Sequence, residues 1–244
     1  MTRRIAISCT LVAFAVLASI ATVATAPDAE AQPNRLVFVA PNGNDANPGT
    51  KARPKATIAA AMRELDGAGG EIRLRGGNYT IANGSGLLWQ GGTARRPLVV
   101  RSAPGERARL RSAQGSHCVV AAADHIQIRR LTCTGWIGIA AFNSDHIVIA
   151  GNSVHDLSAP ATQGILVSGR RENFRDVRIR NNRVTRVPHS GISVGDLRQN
   201  AARDIVIERN KVRQANYQFR NQRTGAGGTG SGITVVGADG ARIY

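Results

Sequence analysis

The sequence predicts an all-β fold, a parallel β-helix in which short strands stack rung upon rung around one apolar interior. Two repeated motifs predict it. Ile149-Ala150-Gly151-Asn152-Ser153-Val154, Ile179-Arg180-Asn181-Asn182-Arg183-Val184 and Ile207-Glu208-Arg209-Asn210-Lys211-Val212 all read Ile-x-x-Asn-x-Val, and residues 128–133 give a fainter copy with Leu131 in the Asn place. A Gly-Ile unit alternates with them, at Gly138-Ile139-Ala140-Ala141, Gly164-Ile165-Leu166-Val167, Gly191-Ile192-Ser193-Val194 and Gly232-Ile233-Thr234-Val235. Apolar residues in period 2, with no amphipathic helix between the segments, exclude paired βαβ units. Each repeat must therefore bury its apolar face against its neighbours.

The elements follow in chain order. Residues 1–31 hold a basic start (Arg3, Arg4), an apolar run over 5–23 and the sequence Ala29-Glu30-Ala31. They read as a signal peptide cleaved after Ala31, which takes Cys9 with it and implies a secreted or periplasmic protein. A membrane anchor is the rival reading, but the apolar run is short for a span. Residues 32–244 then make one β-helix domain, large enough for a real core. Residues 36–39 read as a strand, and 42–50 (Asn-Gly-Asn-Asp-Ala-Asn-Pro-Gly-Thr) as a loop of turn formers. Thr57 is placed to cap a short helix running to about Leu65, whose Ile58, Ala61, Met62 and Leu65 would close the barrel end. Residues 71–74 and 97–101 read as the first rung strands, with Gly76-Gly77 as a turn between them.

In the repeats, the alternation points Ile126/Ile128, Ile147/Ile149, Val177/Ile179, Ile205/Ile207 and Ala241/Ile243 inward, together with Cys118/Val120, Ile139/Ala141, Ile165/Val167, Ile192/Val194 and Ile233/Val235. The order expected is strand, turn, strand, turn. Asn152, Asn182 and Asn210 fall at one turn of successive rungs, where stacked asparagines tolerate left-handed backbone and bond their neighbours' amides. Cys118 and Cys133 both point inward, and a disulfide and two buried thiols are both open. The Gly-rich run 224–232 reads as a surface loop. Residues 239–243 reopen the strand pattern of 124–128 just before the sequence stops at Tyr244, so the solenoid is expected to be truncated there.

The N-terminal motifs carry a resemblance. Val39-Ala40-Pro41-Asn42-Gly43-Asn44-Asp45, Asn47-Pro48-Gly49-Thr50, Pro54, Thr57-Ile58, Arg75-Gly76-Gly77-Asn78-Tyr79 and Pro97-Leu98-Val99-Val100 resemble the opening of secreted right-handed β-helix proteins of the pectate-lyase-like superfamily. The resemblance implies a right-handed solenoid and an activity on carbohydrate: several relatives are polysaccharide lyases that cleave uronate chains by β-elimination, some using calcium, while others are epimerases, hydrolases or have no known catalysis. Its calcium-dependent members carry clustered aspartates before a Gly-Ile strand and a lysine base. Here that stretch reads Val187-Pro188-His189-Ser190-Gly191-Ile192, and no two aspartates are adjacent. The resemblance therefore leaves calcium open and suggests no other cofactor.

Net charge is +16, from 32 basic residues, 29 of them Arg, against 16 acidic. Planar guanidinium groups suit carboxylates, sulfates and phosphates. Export argues against nucleic acid and favours acidic polysaccharide as partner, although an Arg-rich solvated surface explains the charge equally well. Elimination from a uronate needs cations on its carboxylate and a base beside it. The best constellation is Arg178, Arg180 and Arg186 as carboxylate binders, His189 or His155 as base, and Asp156 to orient a histidine. Solvated turns are the plainer reading of the same residues. His125 and His146, at equivalent positions before inward isoleucines, are expected to stack as structural neighbours. No metal-ligand spacing is present. The leading expectation is thus a lyase-like protein acting on acidic polysaccharide, with a non-catalytic binding protein or a uronate epimerase as alternatives.

Overall fold

The structure, a computed structural model, describes residues 35–160, 162–169, 175–196, 202–215, 232–236 and 238–244. The expected leader and nearly all of the Gly-rich run lie outside these residues. β1 (Leu36–Val39) and α1 (Ile58–Leu65) open the described chain. The first full rung is β2 (Gly70–Leu74), β3 (Gly77–Ile81) and β4 (Leu87–Leu88); the second is β5 (Leu98–Ser102) and the long β6 (Ala108–Ala121); the third is β7 (Ile126–Arg129) and β8 (Thr132–Phe142). Then come β9 (Ile147–Ala150), β10 (Ser153–Leu157) and β11 (Ile165–Gly169), followed by β12 (Arg175–Arg180), β13 (Arg183–Val187) and β14 (Ile192–Asp196). The last described rung is β15 (Ala202–Glu208), β16 (Lys211–Ala215) and β17 (Ile233–Val236), with β18 (Ala238–Asp239) and β19 (Arg242–Ile243) pairing onto β15.

These strands pair in parallel to make three faces. The first runs β1-β2-β5-β7-β9-β12-β15. The second joins β3, the front halves of β6 and β8, β10, β13 and β16; the third joins β4, the rear halves of β6 and β8, β11, β14 and β17. A rung therefore has three strands, not the two expected. Each Ile-x-x-Asn-x-Val motif spans a corner, with its Ile ending a first-face strand and its Val in a second-face strand. The fold is a parallel β-helix with an N-terminal helix.

The interior is built from columns of one residue per rung. Val37, Ile72, Val100, Ile128, Ile149, Ile179 and Ile207 stand in register on the first face, all of them buried. Ile243 continues the column but is 53% exposed. Expected inward pairs hold along 126–128, 147–149, 177–179, 205–207, 165–167 and 192–194. One pair departs: Val119 and Ala121 are buried and in register with Ile139 and Ala141, while Val120 sits beside the outward-phase Ala140. The register slips between Ser112 and His117, where Gly115 takes φ +75, yet Ser112, Ser116 and Cys118 all stay buried; the phase changes between the adjacent buried Cys118 and Val119. Cys118 and Cys133 are both free thiols in the core.

Asn152 and Asn182 are each only 1% exposed, and they form a ladder. Asn182 Oδ1 accepts from Asn152 N (2.9 Å) and Nδ2 (3.0 Å), while its own Nδ2 donates to Ile149 O (2.8 Å); Asn210 Oδ1 repeats the pattern onto Asn182. The left-handed backbone at this corner belongs instead to the preceding residue: Arg130, Gly151, Asn181 and Arg209 all have φ between 53 and 67°. The ladder amide must reach inward to bond two rungs, so the preceding residue makes the turn. At the other end α1 forms as expected, with Thr57 Oγ1 accepting from Ala60 N at 3.1 Å and Ile58, Ala61, Met62 and Leu65 buried. Among the described residues no helix is long and apolar enough to cross a membrane.

Candidate functional site

β10 and β13 lie side by side on the second face, with Ser153, Val154 and His155 opposite Arg183, Val184 and Thr185. In a regular strand consecutive side chains alternate across the sheet. Here Asp156 (φ 55°) and Arg186 (φ 53°) take left-handed backbone, which breaks the alternation before the inward Leu157 and Val187. His155 and Asp156, although adjacent, therefore both stay outside. These positions lie within strands, not in turns beyond them as the sequence suggested.

The result is a chain of polar contacts. His155 Nδ1 lies 2.7 Å from Asp156 Oδ2, and Arg186 grips the same carboxylate through Nε and, at 2.7 Å, through Nη2. The Arg186 guanidinium holds the Asp156 carboxyl down to about 2 against its ordinary 3.8, with His155 adding to the effect. A carboxylate ionised at neutral pH only accepts hydrogen bonds, so Nδ1 faces it as donor and, in the neutral imidazole, Nε2 is the nitrogen that presents a lone pair.

His155 lines an open groove of about 470 Å³ that also takes in Arg107, Arg109, Arg130 and Ser153. Arg109, Thr132 and Ser153 are consecutive in register, and Arg130 reaches the groove from its left-handed corner position. None of the three arginines makes an ion pair among the described residues. Glu106 also lines the groove, but Arg75 Nε (2.8 Å) and Gly76 N (2.6 Å) occupy its carboxylate. The groove is cationic with one oriented imidazole. Sequence reasoning missed Arg107, Arg109 and Arg130, because they come from other rungs and only register brings them beside His155.

The expected constellation divides into three places. His155, Asp156 and Arg186 come together. Arg178 and Arg180 lie on the outer side of the first face, where Arg178 pairs with Asp176 (3.1 Å) and Asp176 in turn holds His146 Nδ1 (3.0 Å). His146 stacks on His125 with centroids 4.3 Å apart, as the spacing predicted. His189 lies between β13 and β14, its amide donating to Thr162 O (3.1 Å) and its Nδ1 3.0 Å from Ser190 Oγ. A second groove, on the third face, is lined by His117, Trp136, Gln163 and Leu166 among others, none of them Lys, Arg, Asp or Glu. Burial pushes the His117 imidazole below its ordinary range, which keeps it neutral at pH 7.

Calcium, which the resemblance left open, needs several oxygen ligands. No group of three His, Cys, Asp or Glu converges among the described residues, and Glu106 in the first groove and Asp156 behind His155 are each engaged by an arginine. Among the described residues the donor set does not fit the ion.

Residues 70–244 match the family described as right-handed β-helix region. The chain belongs to that family. No curated protein matches it in sequence. Among solved structures, this right-handed β-helix is similar to the pectate lyase Pel9A (17% identity, TM-score 0.52, covering 84% of this chain and 62% of that one). It is also similar to a GH136 lacto-N-biosidase from Eubacterium ramulus (12% identity, TM-score 0.60, covering 86% of this chain and 51% of that one). The chain thus spans between half and two thirds of the length of these structures.

Proposed function

We propose that this β-helix is a lyase-like protein acting on acidic polysaccharide, with His155 as the base of a β-elimination. The observation that carries the reading is His155, held by Asp156 and Arg186, facing a groove lined by Arg107, Arg109 and Arg130, none of which makes an ion pair among the described residues. A uronate carboxylate placed against Arg109 and Arg130 would have its charge neutralised, which acidifies the adjacent carbon. His155 Nε2 takes that proton, its C–H electron pair forms the carbon–carbon double bond as the neighbouring C–O bond breaks, and the leaving glycosidic oxygen takes a proton from water in the open groove. Asp156 stabilises the imidazolium and fixes the tautomer. His155 is the base we assign, because a carboxylate orients it and it lines the cationic groove. The similarity to a pectate lyase supports a carbohydrate ligand through the fold alone.

The test is incubation with polygalacturonate, alginate and glycosaminoglycans while the absorbance of the unsaturated product is followed. His155→Gln should lower the rate by about 10² or more with an unchanged melting temperature. Altered uronate stereochemistry without new absorbance would replace the lyase by an epimerase. Binding without cleavage is the second reading, favoured by the uncharged Trp136 groove, which offers a sugar an aromatic ring and an amide. Residues 1–31 as an export leader belong to the same proposal.

A further inference from the structure

The outer side of the first face carries a column in register: Arg73, Arg101, Arg129, Ala150, Arg180 and Glu208. Its start is partly compensated, because Glu71 bonds both Arg73 (2.6 Å) and Arg101 (2.5 Å). Further along, the charge is not balanced. Arg129 Nε donates to a neutral group, the Gln127 amide oxygen (2.9 Å), and among the described residues neither Arg129 nor Arg180 makes an ion pair. Glu208, beside Arg180 in register, forms none with it.

Between these two arginines stands Ala150. It follows the inward Ile149 and so belongs to the outward phase, yet it is only 8% exposed. Burial, followed by the charges of Arg180, Arg101 and Arg130, pushes the Arg129 guanidinium below its ordinary value, so the local field is positive. Parallel strands lie about 4.8 Å apart, which separates the Arg129 and Arg180 backbones by about 10 Å across the Ala150 strand. That span admits one carboxylate or sulfate with a guanidinium on each side, and Ala150, almost wholly covered, puts only a methyl group and no competing charge between them.

We propose that Arg129 and Arg180 bind one anionic group of an acidic glycan, a carboxylate or a sulfate, above Ala150, at a site on the first face separate from the His155 groove. The cation pair requires only an anion; its assignment to a glycan rests on the proposed function. The site would hold the chain away from the reacting centre and along the solenoid.

The experiment is calorimetric titration of the full chain with a tetrauronate, a heparin tetrasaccharide and a neutral cello-oligosaccharide. Acidic oligosaccharides should bind, and the neutral one should not. Arg129→Gln and Arg180→Gln should each weaken one bound equivalent by about tenfold or more. Ala150→Glu places a carboxylate between the guanidinium groups, so it should abolish that equivalent and raise the melting temperature. A preference for the uronate or for heparin identifies the group as carboxylate or sulfate. Affinities within twofold of the parent in both arginine variants, or undiminished binding by Ala150→Glu, would overturn the site. Equal binding of an oligothymidylate, lost in the same variants, would overturn the glycan assignment. If no unsaturated product forms while these losses are seen, the elimination reading fails and this site stands.

Discussion

Asp156 shows how much one backbone angle decides. Its left-handed φ puts a carboxylate next to His155 on the outside of the strand, and Arg186 from the next rung reaches it. Because Arg186 depresses the Asp156 carboxyl to about 2, from 3.8, the folded state binds this proton less readily than the unfolded chain. The stabilisation is fully present above about pH 4 and is lost as pH falls through about 2. The pair is largely exposed, so the effect on stability is small. Arg186→Gln should flatten the acid limb of the stability curve in that window, measured by urea unfolding at pH 2 to 5. An unchanged limb would show that the ion pair does not form in solution. The sequence placed His155, Asp156 and Arg186 in one candidate set, but the tautomer assignment rests on distances that only the folded chain supplies.

At the scale of the element, the corner ladder and the inward columns carry the fold. Asn182→Ala leaves Asn152 N and Nδ2 without their buried acceptor, and Ile149 O without its donor. Orphaned buried groups of this kind cost about 1 to 3 kcal/mol each, and partial relaxation should bring the total to about 2 to 4 kcal/mol, read from the denaturant midpoint. A loss below about 1 kcal/mol would mean that solvent reaches the corner. Ile179→Asp is more severe: it sets a charge between Ile149 and Ile207 in the core, at a cost comparable with the whole stability of roughly 5 to 15 kcal/mol. It should yield no cooperatively folded protein, and a soluble variant with unchanged melting would refute the column. The Ile-x-x-Asn-x-Val repeat made both residues visible. It placed the asparagines at a turn but did not reveal that the residues after the turn open a further face, three to a rung, because a two-residue turn inside a continuous polar-apolar pattern leaves the periodicity nearly intact.

For the whole molecule, stacking is nearest-neighbour, so each rung is held by the one before and after it. The same stacking turns scattered arginines into stripes, which is how a net charge of +16 becomes a local field at particular grooves. If residues 1–31 are a leader, N-terminal sequencing of the protein recovered from the exported fraction should begin at Gln32. Retention of Met1 on exported protein would overturn that assignment.

The sequence alone determined the parallel β-helix, the α1 cap, the inward isoleucine columns, the asparagine ladder and the His125–His146 stack. Each is a periodic or local signal, repeated from rung to rung or fixed within a few residues. Tertiary structure decided the three-faced rung, the shifted phase of Val119 and Ala121, and the separation of Arg178, Arg180 and His189 from the His155 cluster. It also brought Arg107, Arg109 and Arg130 to His155 and left Ala150 between Arg129 and Arg180. Those outcomes depend on register between strands some 20 to 50 residues apart, which is set by how the turns and bulges close each rung and leaves little trace in local residue order.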